Sequence, residues 1–145
     1  MTARQLDTTP DSLLATLAQF RYELRCFLHF SESAALKAGL QPQQHQLLLQ
    51  VAGAPESATV TIAFAAERLG LKHNSTVELV DRSEREGLLT RSPDAHDKRR
   101  AILRLTRKGR LVLERLAGDH AEELRELAPR LVVSLQNIGS HVEAQ

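Results

Sequence analysis

The 145-residue sequence has one cysteine, no tryptophan and only 3% aromatic residues. Because Cys26 is alone, the chain forms no intramolecular disulfide and no zinc site made of several cysteines, a composition typical of a reducing compartment. No stretch approaches the roughly 18 apolar residues of a membrane-spanning helix. The first residues, MTARQLDTTPDS, lack the basic-then-apolar order of a signal peptide. We therefore expect a cytoplasmic protein.

Motifs of catalysis are also lacking. The sequence contains no GxSxG, no phosphate-binding glycine loop and no Cys, His and Asp grouping with the spacing of a nucleophile and its base. The histidines show no two-ligand spacing on one helical face. We therefore predict no enzyme, no metal site and no cofactor. The histidines concerned are His29, His45, His73, His96, His120 and His141.

The small net charge of +1 hides an uneven distribution. Residues 91–110 hold eight basic and two acidic residues, a net charge of +6. From residue 111 to the end, three basic residues stand against six acidic ones, a net charge of −3. The basic segment is therefore a candidate for binding an anionic partner.

Long amphipathic helices are predicted at both ends of the chain. Apolar residues recur at steps of three and four over residues 11–37 and again over 111–138. Between them, Pro42 begins a second helix that ends near Gly53, and Pro129 is expected to split the last helical segment in two. The apolar stripes exceed what one small domain covers, so we expect a second copy to cover them.

The middle of the chain has the sequence form of a helix-turn-helix. A β-branched run, TVTI at 59–62, predicts one short strand. Helices are predicted over 63–69 and about 75–86, with Gly70 ending the first and residues 74–76 capping the second. A strand, a turn at Pro93 and Asp94, and a returning strand then predict a β-hairpin. Thr106 is expected to cap the helix that follows.

This order of elements indicates DNA binding. A helix-turn-helix presents its second helix to the major groove. The predicted hairpin places Lys98, Arg99 and Arg100 next to that helix, where they would meet phosphates. Double-stranded DNA is therefore the predicted partner.

The segments AAERLGLKHNSTVELVDRSEREGLL and DAHDKRRAILRLTRKG, which span residues 65–109, resemble the MarR family of transcriptional regulators. The resemblance implies a mainly α fold with a small β-hairpin wing, a winged helix-turn-helix with long N- and C-terminal dimerisation helices. It implies one domain over 1–145, with dimerisation helices at 11–38 and 107–145 and a DNA-binding module at 42–105. A homodimer on a pseudo-palindromic operator, acting as a repressor that a small ligand relieves, is the implied function.

The resemblance also implies the DNA-binding residues. Val77 and Val80 are expected to face inward, and Asp81 either pairs with a wing arginine or is an ordinary surface charge. His96 stands where the family has the first arginine of its wing motif, which weakens the expected attraction to a narrow minor groove. The predicted DNA-binding residues are Lys72, His73, Asn74, Ser75, Thr76, Glu78, Arg82, Lys98, Arg99 and Arg100.

Two further hypotheses remain open. Tyr22, Cys26, His29, Phe30 and His45 are candidates for a pocket that binds a small aromatic or phenolic ligand, although core or surface roles are favoured for them. Cys26 is expected to be structural rather than an oxidant sensor, because the one tyrosine lies on its own helix. The alternative function is a winged-helix interaction module that has lost DNA binding, which His96 and the acidic residues Glu78, Asp81 and Glu84 favour.

Overall fold

The structure is a computed structural model that describes residues 9–144. Within this range the fold is mainly helical with one antiparallel hairpin, as predicted. Residues 1–8 and Gln145, which belong to the predicted domain and to the predicted C-terminal dimerisation segment, lie outside the described residues. The elements are α1 (Pro10–Lys37), α2 (Pro42–Ala52), α3 (Ile62–Leu69), α4 (His73–Arg85), β1 (Leu89–Pro93), β2 (Ala101–Leu105) and α5 (Arg107–Glu143).

The chain divides into two compact units. The helical unit contains the residues up to Ser33 and those from Asp119 onward, so it is made of most of α1 and most of α5. The winged unit contains Ala34–Gly118, with the end of α1, the helix-turn-helix, the hairpin and the start of α5.

The winged unit has a continuous apolar core. Leu47 and Leu48 of α2, Val80 of α4, Leu89 of β1 and Leu103 of β2 are almost completely inaccessible to solvent. Burying a side chain of this size contributes about 1.5–3 kcal/mol to folding. These contacts fix α4 and the hairpin on one framework.

The predicted strand at 59–62 is wrong, because Ile62 already begins α3. Thr61 is the N-cap of that helix, and its hydroxyl accepts a hydrogen bond from the Phe64 N–H at 3.2 Å. The residues before it make a single backbone bond to the hairpin, from the Leu103 N–H to the Val60 carbonyl at 2.8 Å. One bond is too few for a strand ladder, so residues 59–61 remain an extended connection.

The predicted start of α4 is also wrong. The helix begins at His73, with Lys72 as its N-cap, rather than after a cap at Asn74. Gly70 adopts a left-handed conformation with φ +65°, which ends α3 and turns the chain at once. Because the turn is completed by residue 72, α4 starts about two residues earlier than the predicted cap residues suggested.

The hairpin forms as predicted, with Leu89 opposite Leu105 and Arg91 opposite Leu103. Thr106 then caps α5 by accepting a hydrogen bond from the Gly109 N–H at 3.1 Å, which confirms its predicted role. The backbone of Gly109 lies so close to Leu88, the residue before β1, that an added Cβ would clash with the Leu88 carbonyl oxygen. Glycine is required here by this close approach.

The predicted break at Pro129 is wrong, because α5 runs without interruption from Arg107 to Glu143. Proline has no N–H and therefore cannot bond the carbonyl four residues earlier. The turns on either side keep their own bonds, so the helix continues. No helix among residues 9–144 is both long enough and apolar enough to cross a membrane.

Candidate nucleic-acid interface

One face of α4 is exposed along the length of the helix. His73, Asn74 and Ser75 in the first turn, Glu78 in the second and Arg82 in the third are all accessible to solvent. The opposite face carries the buried residues Leu79, Val80 and Ser83. The exposed residues recur at helical spacing, so they form one surface of the width that a major groove accepts.

Thr76 does not belong to that surface, contrary to prediction. Its side chain is fully buried, and its hydroxyl donates a hydrogen bond to the Lys72 carbonyl at 2.9 Å. Helical spacing explains the burial, because Thr76 lies four residues before Val80 and seven before Ser83 and so shares their buried face. Val80 is buried as expected, whereas Val77 is only half-buried.

The first turn of α4 leaves backbone N–H groups available to a ligand. The N-cap residue Lys72 makes no side-chain hydrogen bond to that turn, and the Thr76 N–H is the first to bond back, to the Lys72 carbonyl at 3.0 Å. Free N–H groups and the positive end of the helix dipole attract phosphate. Lys72 itself is exposed beside them.

An ion-pair cluster, which we call the latch, joins α4 to the wing, the hairpin of residues 89–105. The Arg91 guanidinium lies 2.7 Å from the Asp81 carboxylate and 3.1 Å from the Glu84 carboxylate. The Arg91 N–H also donates to Glu84 at 3.0 Å. The side-chain and backbone hydrogen bonds from Arg91 lower the pKa of Glu84 below its ordinary value.

The latch decides between the two readings of Asp81: it pairs with a wing arginine rather than being an isolated surface charge. It also pairs two of the three acidic residues on α4 that favoured an interaction module, although one guanidinium offsets only one of their two charges. The participation of Glu84 and Arg91 was missed in the sequence, because a seven-residue spacing across a turn has no recognisable local pattern.

The wing tip, residues 94–100, is shaped by its own aspartates. Asp94 is buried and accepts hydrogen bonds from the His96 N–H at 2.9 Å and from the Arg100 guanidinium at 2.8 Å. These contacts hold the pKa of Asp94 below its ordinary value, and the hydrogen bond from the His96 N–H contributes most. Asp97 accepts hydrogen bonds from the backbone N–H and the Nε of Arg99, at 3.0 and 3.2 Å.

The predicted wing cations therefore differ in accessibility. The Arg99 side chain is 91% exposed and Lys98 is exposed beside it. The Arg100 side chain is about half-exposed, at 47%, and is paired with both Asp94 and Asp97. Arg100 stabilises the turn from inside, whereas Lys98 and Arg99 are the cations that project from it.

A further contact at the far end of α4 was also missed in the sequence. The Lys108 ammonium donates a hydrogen bond to the Glu86 carbonyl at 2.8 Å, just past the end of α4. A cation at this place is favourable, because the carbonyls of the last turn are otherwise unpaired. α5 therefore helps to position α4 through Lys108, which in the sequence is only one of several cations in the basic segment 91–110.

The five residues predicted to form a ligand pocket are divided between the two units. Tyr22, Cys26 and His29 are exposed on α1, and Phe30 packs edge-on against His120 with ring centroids 5.3 Å apart. His45 is buried within the winged unit. The neighbouring Cys26 thiol, one turn further along α1, raises the pKa of the Tyr22 phenol. Among residues 9–144, no cluster of three or more His, Cys, Asp or Glu residues is arranged to hold a metal ion.

A helix-turn-helix followed by a two-stranded wing with projecting cations defines the winged helix-turn-helix class. The sequence profile of the MarR family matches residues 38–100, which cover this module. This match agrees with the resemblance to the MarR family that the sequence suggested. Members of that family are transcriptional regulators and not enzymes.

Several solved structures share the fold. The PcaV transcriptional regulator from Streptomyces coelicolor, in complex with its natural ligand, is 29% identical, with a TM-score of 0.58, and the match covers 99% of each chain. AbsC from the same organism is 19% identical, with a TM-score of 0.69, over 99% of this chain and 100% of that one. A variant of MarR from E. coli, complexed with operator DNA, is 20% identical, with a TM-score of 0.65, over 84% and 89%. A search of curated proteins found no match.

Proposed function

We propose that this chain is a homodimeric, sequence-specific DNA-binding regulator of transcription. One observation carries the proposal: the latch joins α4, which has an exposed face, to the wing, from which the cations Lys98 and Arg99 project. Such a pairing suits a helix in the major groove and a wing on the phosphates beside it. The proposed DNA contacts are Lys72, His73, Asn74, Ser75, Glu78, Arg82, Lys98 and Arg99.

The proposed contacts divide into two kinds. Lys72, Lys98 and Arg99 are placed to bind phosphate, which carries no sequence information. Glu78 and Arg82 lie in the middle of the exposed face of α4, where an acidic side chain suits the amino group of cytosine and arginine suits guanine. Base choice is therefore proposed to depend on Glu78 and Arg82.

Homodimerisation is proposed from the apolar surface of the helical unit. Leu14, Leu17, Leu28, Val133 and Leu135 are all more than a third exposed on α1 and α5. Exposed apolar groups of this number are typical of a subunit interface. Two copies related by a two-fold axis would present two α4 helices to a pseudo-palindromic operator.

Repression, relief by a small ligand and a cytoplasmic location complete the proposal. An operator complex of a structurally similar protein and a natural-ligand complex of another support the first two. The location follows from DNA as the proposed partner. A reporter placed behind the selected operator tests the mode of action: repression predicts higher expression when the gene of this chain is deleted, and lower expression contradicts it.

DNA binding is tested by selecting fragments of the source genome with the purified chain and sequencing them. We expect a two-fold symmetric site and an affinity that falls steeply with salt, because phosphate contacts release counterions. An absence of both results would contradict the proposal and favour the interaction module.

Two variants then separate the kinds of contact. Arg99→Ala should weaken binding to all sequences alike and lower the salt slope by about 1. Arg82→Ala should change the preferred sequence at one position in each half-site, at a cost of about 1–3 kcal/mol there. Arg125→Ala, which removes the same charge from an exposed position on α5, is the control for both. Equal losses across sequences for Arg82→Ala would contradict base reading by this residue.

A further inference from the structure

An apolar side chain flanked by cations lies on an exposed face at the start of α5. Leu111 is 55% exposed, and the exposed residues Arg107 and Arg115 stand four positions before it and four positions after it. Residues four apart share one face of a helix, so these three side chains form a continuous stripe. Together with Lys108 and the half-buried Val112, they line a shallow groove of about 430 Å³. We call this surface the α5 face.

The other side of the same helix segment is packed firmly. Leu113 and Leu116 are buried in the core of the winged unit, and Val112 packs against that core. Gly109 lies against the backbone of Leu88. The α5 face is therefore the exposed side of a helix that is already held in place, so it requires little ordering when a partner binds.

The two arginines of the α5 face have no partner in the part of the chain that the structure describes. Among residues 9–144, neither guanidinium makes a side-chain hydrogen bond or an ion pair. The wing arginines differ, because Arg91, Arg99 and Arg100 each have a carboxylate partner. A guanidinium presents several N–H donors in a plane that matches a carboxylate, so the two unpaired arginines are suited to an acidic partner.

Helix formation does not explain the cations at this place. The first turn of α5 has no acidic residue and contains Arg107, Lys108 and Arg110. The start of a helix carries a partial positive charge, so basic residues there are unfavourable. The core does not explain Leu111 either, because more than half of this residue is exposed. Binding of an acidic and partly apolar partner would offset both unfavourable features.

We propose that the α5 face binds an acidic amphipathic helix of another protein, with carboxylates on Arg107 and Arg115 and an apolar side chain against Leu111. Two arginines that flank a leucine are complementary to two carboxylates that flank an apolar residue. Paired helices select their partners by such flanking charges, while the apolar stripe between them supplies the contact area.

Two other occupants fit the α5 face less well. A DNA phosphate chain binds exposed cations but gains nothing from an exposed leucine between them. A second copy of this chain brings its basic segment 91–110 together with the acidic residues that follow it, so repulsion offsets attraction. An acidic helix of another protein carries no such opposing charge.

The α5 face is separate from the surfaces used in the proposed function. It belongs to the winged unit, whereas the apolar surface proposed for dimerisation belongs to the helical unit. Its two arginines are not among the proposed DNA contacts. Binding of an acidic helix therefore goes beyond the proposed regulation of transcription and does not depend on it.

The proposal is tested on the purified full chain with a fluorescent helical peptide of about four turns, in which glutamates flank leucines at a spacing of four. Fluorescence anisotropy should show saturable binding with a Kd below about 1 mM, and the affinity should fall as salt is added. A peptide with lysine in place of glutamate, and one with serine in place of leucine, should each bind at least about tenfold more weakly. Equal binding of either control peptide, or no saturation by the acidic one, would overturn the proposal.

A leucine variant of the chain locates the contact. Leu111→Ser should weaken binding of the acidic peptide at least about fivefold. Leu36→Ser changes an almost equally exposed leucine of the winged unit and should leave the affinity unchanged. In ¹⁵N-resolved NMR, the shifted backbone signals should lie within residues 107–116. Shifts concentrated elsewhere, or equal losses for the two variants, would contradict binding at the α5 face.

Reversing the charge of the α5 face separates a lost contact from a damaged fold. In the double variant Arg107→Glu, Arg115→Glu, the acidic peptide should bind at least about tenfold more weakly and the lysine peptide should become the tighter ligand. Glutamate is favourable at the start of a helix, so this variant should remain folded. Arg125→Glu, the same change at an exposed position of α5 outside the face, should keep the native preference. A double variant that still prefers the acidic peptide would show that the arginines do not hold it.

The same double variant identifies the other occupants. Salt-sensitive self-association of the native chain that the double variant abolishes would assign the α5 face to a second copy. A loss of DNA affinity with unchanged peptide affinity would assign it to DNA. Either result overturns the proposal. A chain that binds the acidic peptide through both arginines but selects no operator keeps this proposal and contradicts the proposed regulator.

Discussion

The two units bury their apolar residues to very different extents. In the described part of the chain, all the fully buried apolar side chains except Leu127 belong to the winged unit. Most of the large exposed ones, including Leu14, Tyr22, Val133 and Val142, belong to the helical unit. The winged unit therefore has a core of its own, whereas the helical unit leaves more of its apolar side chains exposed.

Buried polar groups occur in both units, but they differ in how completely they are hydrogen-bonded. In the helical unit, Glu23 is buried, accepts a hydrogen bond from Gln19 at 2.8 Å and lies 3.7 Å from Arg130. The Nε2 atom of His141 is buried there without a hydrogen-bond partner among the described residues. An unsatisfied buried nitrogen costs about 1–3 kcal/mol. This cost falls on the helical unit, because no buried side-chain nitrogen or oxygen among the described residues of the winged unit lacks a partner.

The largest expected effect is a cavity in the core of the winged unit. Leu48→Ala should lower the free energy of unfolding by about 2–5 kcal/mol, because a fully buried side chain is removed. The neighbouring residue Leu49 is 40% exposed, so Leu49→Ala should cost less than about 1 kcal/mol. Urea denaturation measures both. Similar losses of unfolding free energy for the two variants would contradict the assignment of Leu48 to the core and Leu49 to the surface of α2.

The close approach of α5 to β1 is the next largest test. Gly109→Ala forces a Cβ against the Leu88 carbonyl and should destabilise the fold by about 1–3 kcal/mol. Gly118→Ala, at an open position on the same helix, should stabilise it by up to about 1 kcal/mol through helix propensity. Thermal unfolding of both proteins at equal concentration gives the comparison. A neutral Gly109→Ala would mean that α5 and β1 are not held tightly.

The exposed apolar surface of the helical unit is tested by a charge. Val133→Asp should raise the dissociation constant of the proposed dimer at least about tenfold, because a carboxylate would be buried at the interface. Leu49→Asp, on the winged unit, should leave association unchanged. Sedimentation over a range of concentrations measures both. A dimer unaffected by Val133→Asp would place the interface elsewhere.

The smallest effect concerns the latch. The folded state lowers the pKa of Glu84, so its contribution to stability is complete above the ordinary carboxyl value of about 4.3 and is lost as the pH falls through the lowered pKa. Because the latch is partly exposed, that contribution is less than about 1 kcal/mol. Glu84→Gln should therefore reduce stability at pH 7 and approach the parent protein at pH 3. An equal difference at both pH values would show that Glu84 acts by packing.

The sequence-based predictions were accurate where a feature depends on residues close together in the chain, and less accurate where it depends on distant ones. The hairpin, the Thr106 cap and the helices 10–37 and 42–52 could be predicted, because each depends on neighbouring residues. The false strand at 59–62 had strand-forming residues but lacked a ladder partner. The predicted break at Pro129 did not form, because the loss of one backbone hydrogen bond is not enough to interrupt the helix. In both cases, packing outweighed local preference.

The candidate interface was predicted in part. The face of α4 and the basic wing could be read from spacing and charge, since helical periodicity determines which residues share a side. The same periodicity would have placed Thr76 on the buried face, four residues before Val80, but the residue set implied by the resemblance did not apply it. The partners of Arg91 and Arg100 could not be predicted, because they depend on where the wing folds back.

The sequence by itself determined the helix-turn-helix, the wing and the uneven charge, because periodicity, capping and turn residues act over a few positions. Only the tertiary structure decided which wing cations project and which are paired, and that Leu111 remains exposed between two arginines. Those outcomes depend on contacts between residues far apart in the chain, such as Asp81 with Arg91 or Val60 with Leu103. Such contacts form only after the core has packed.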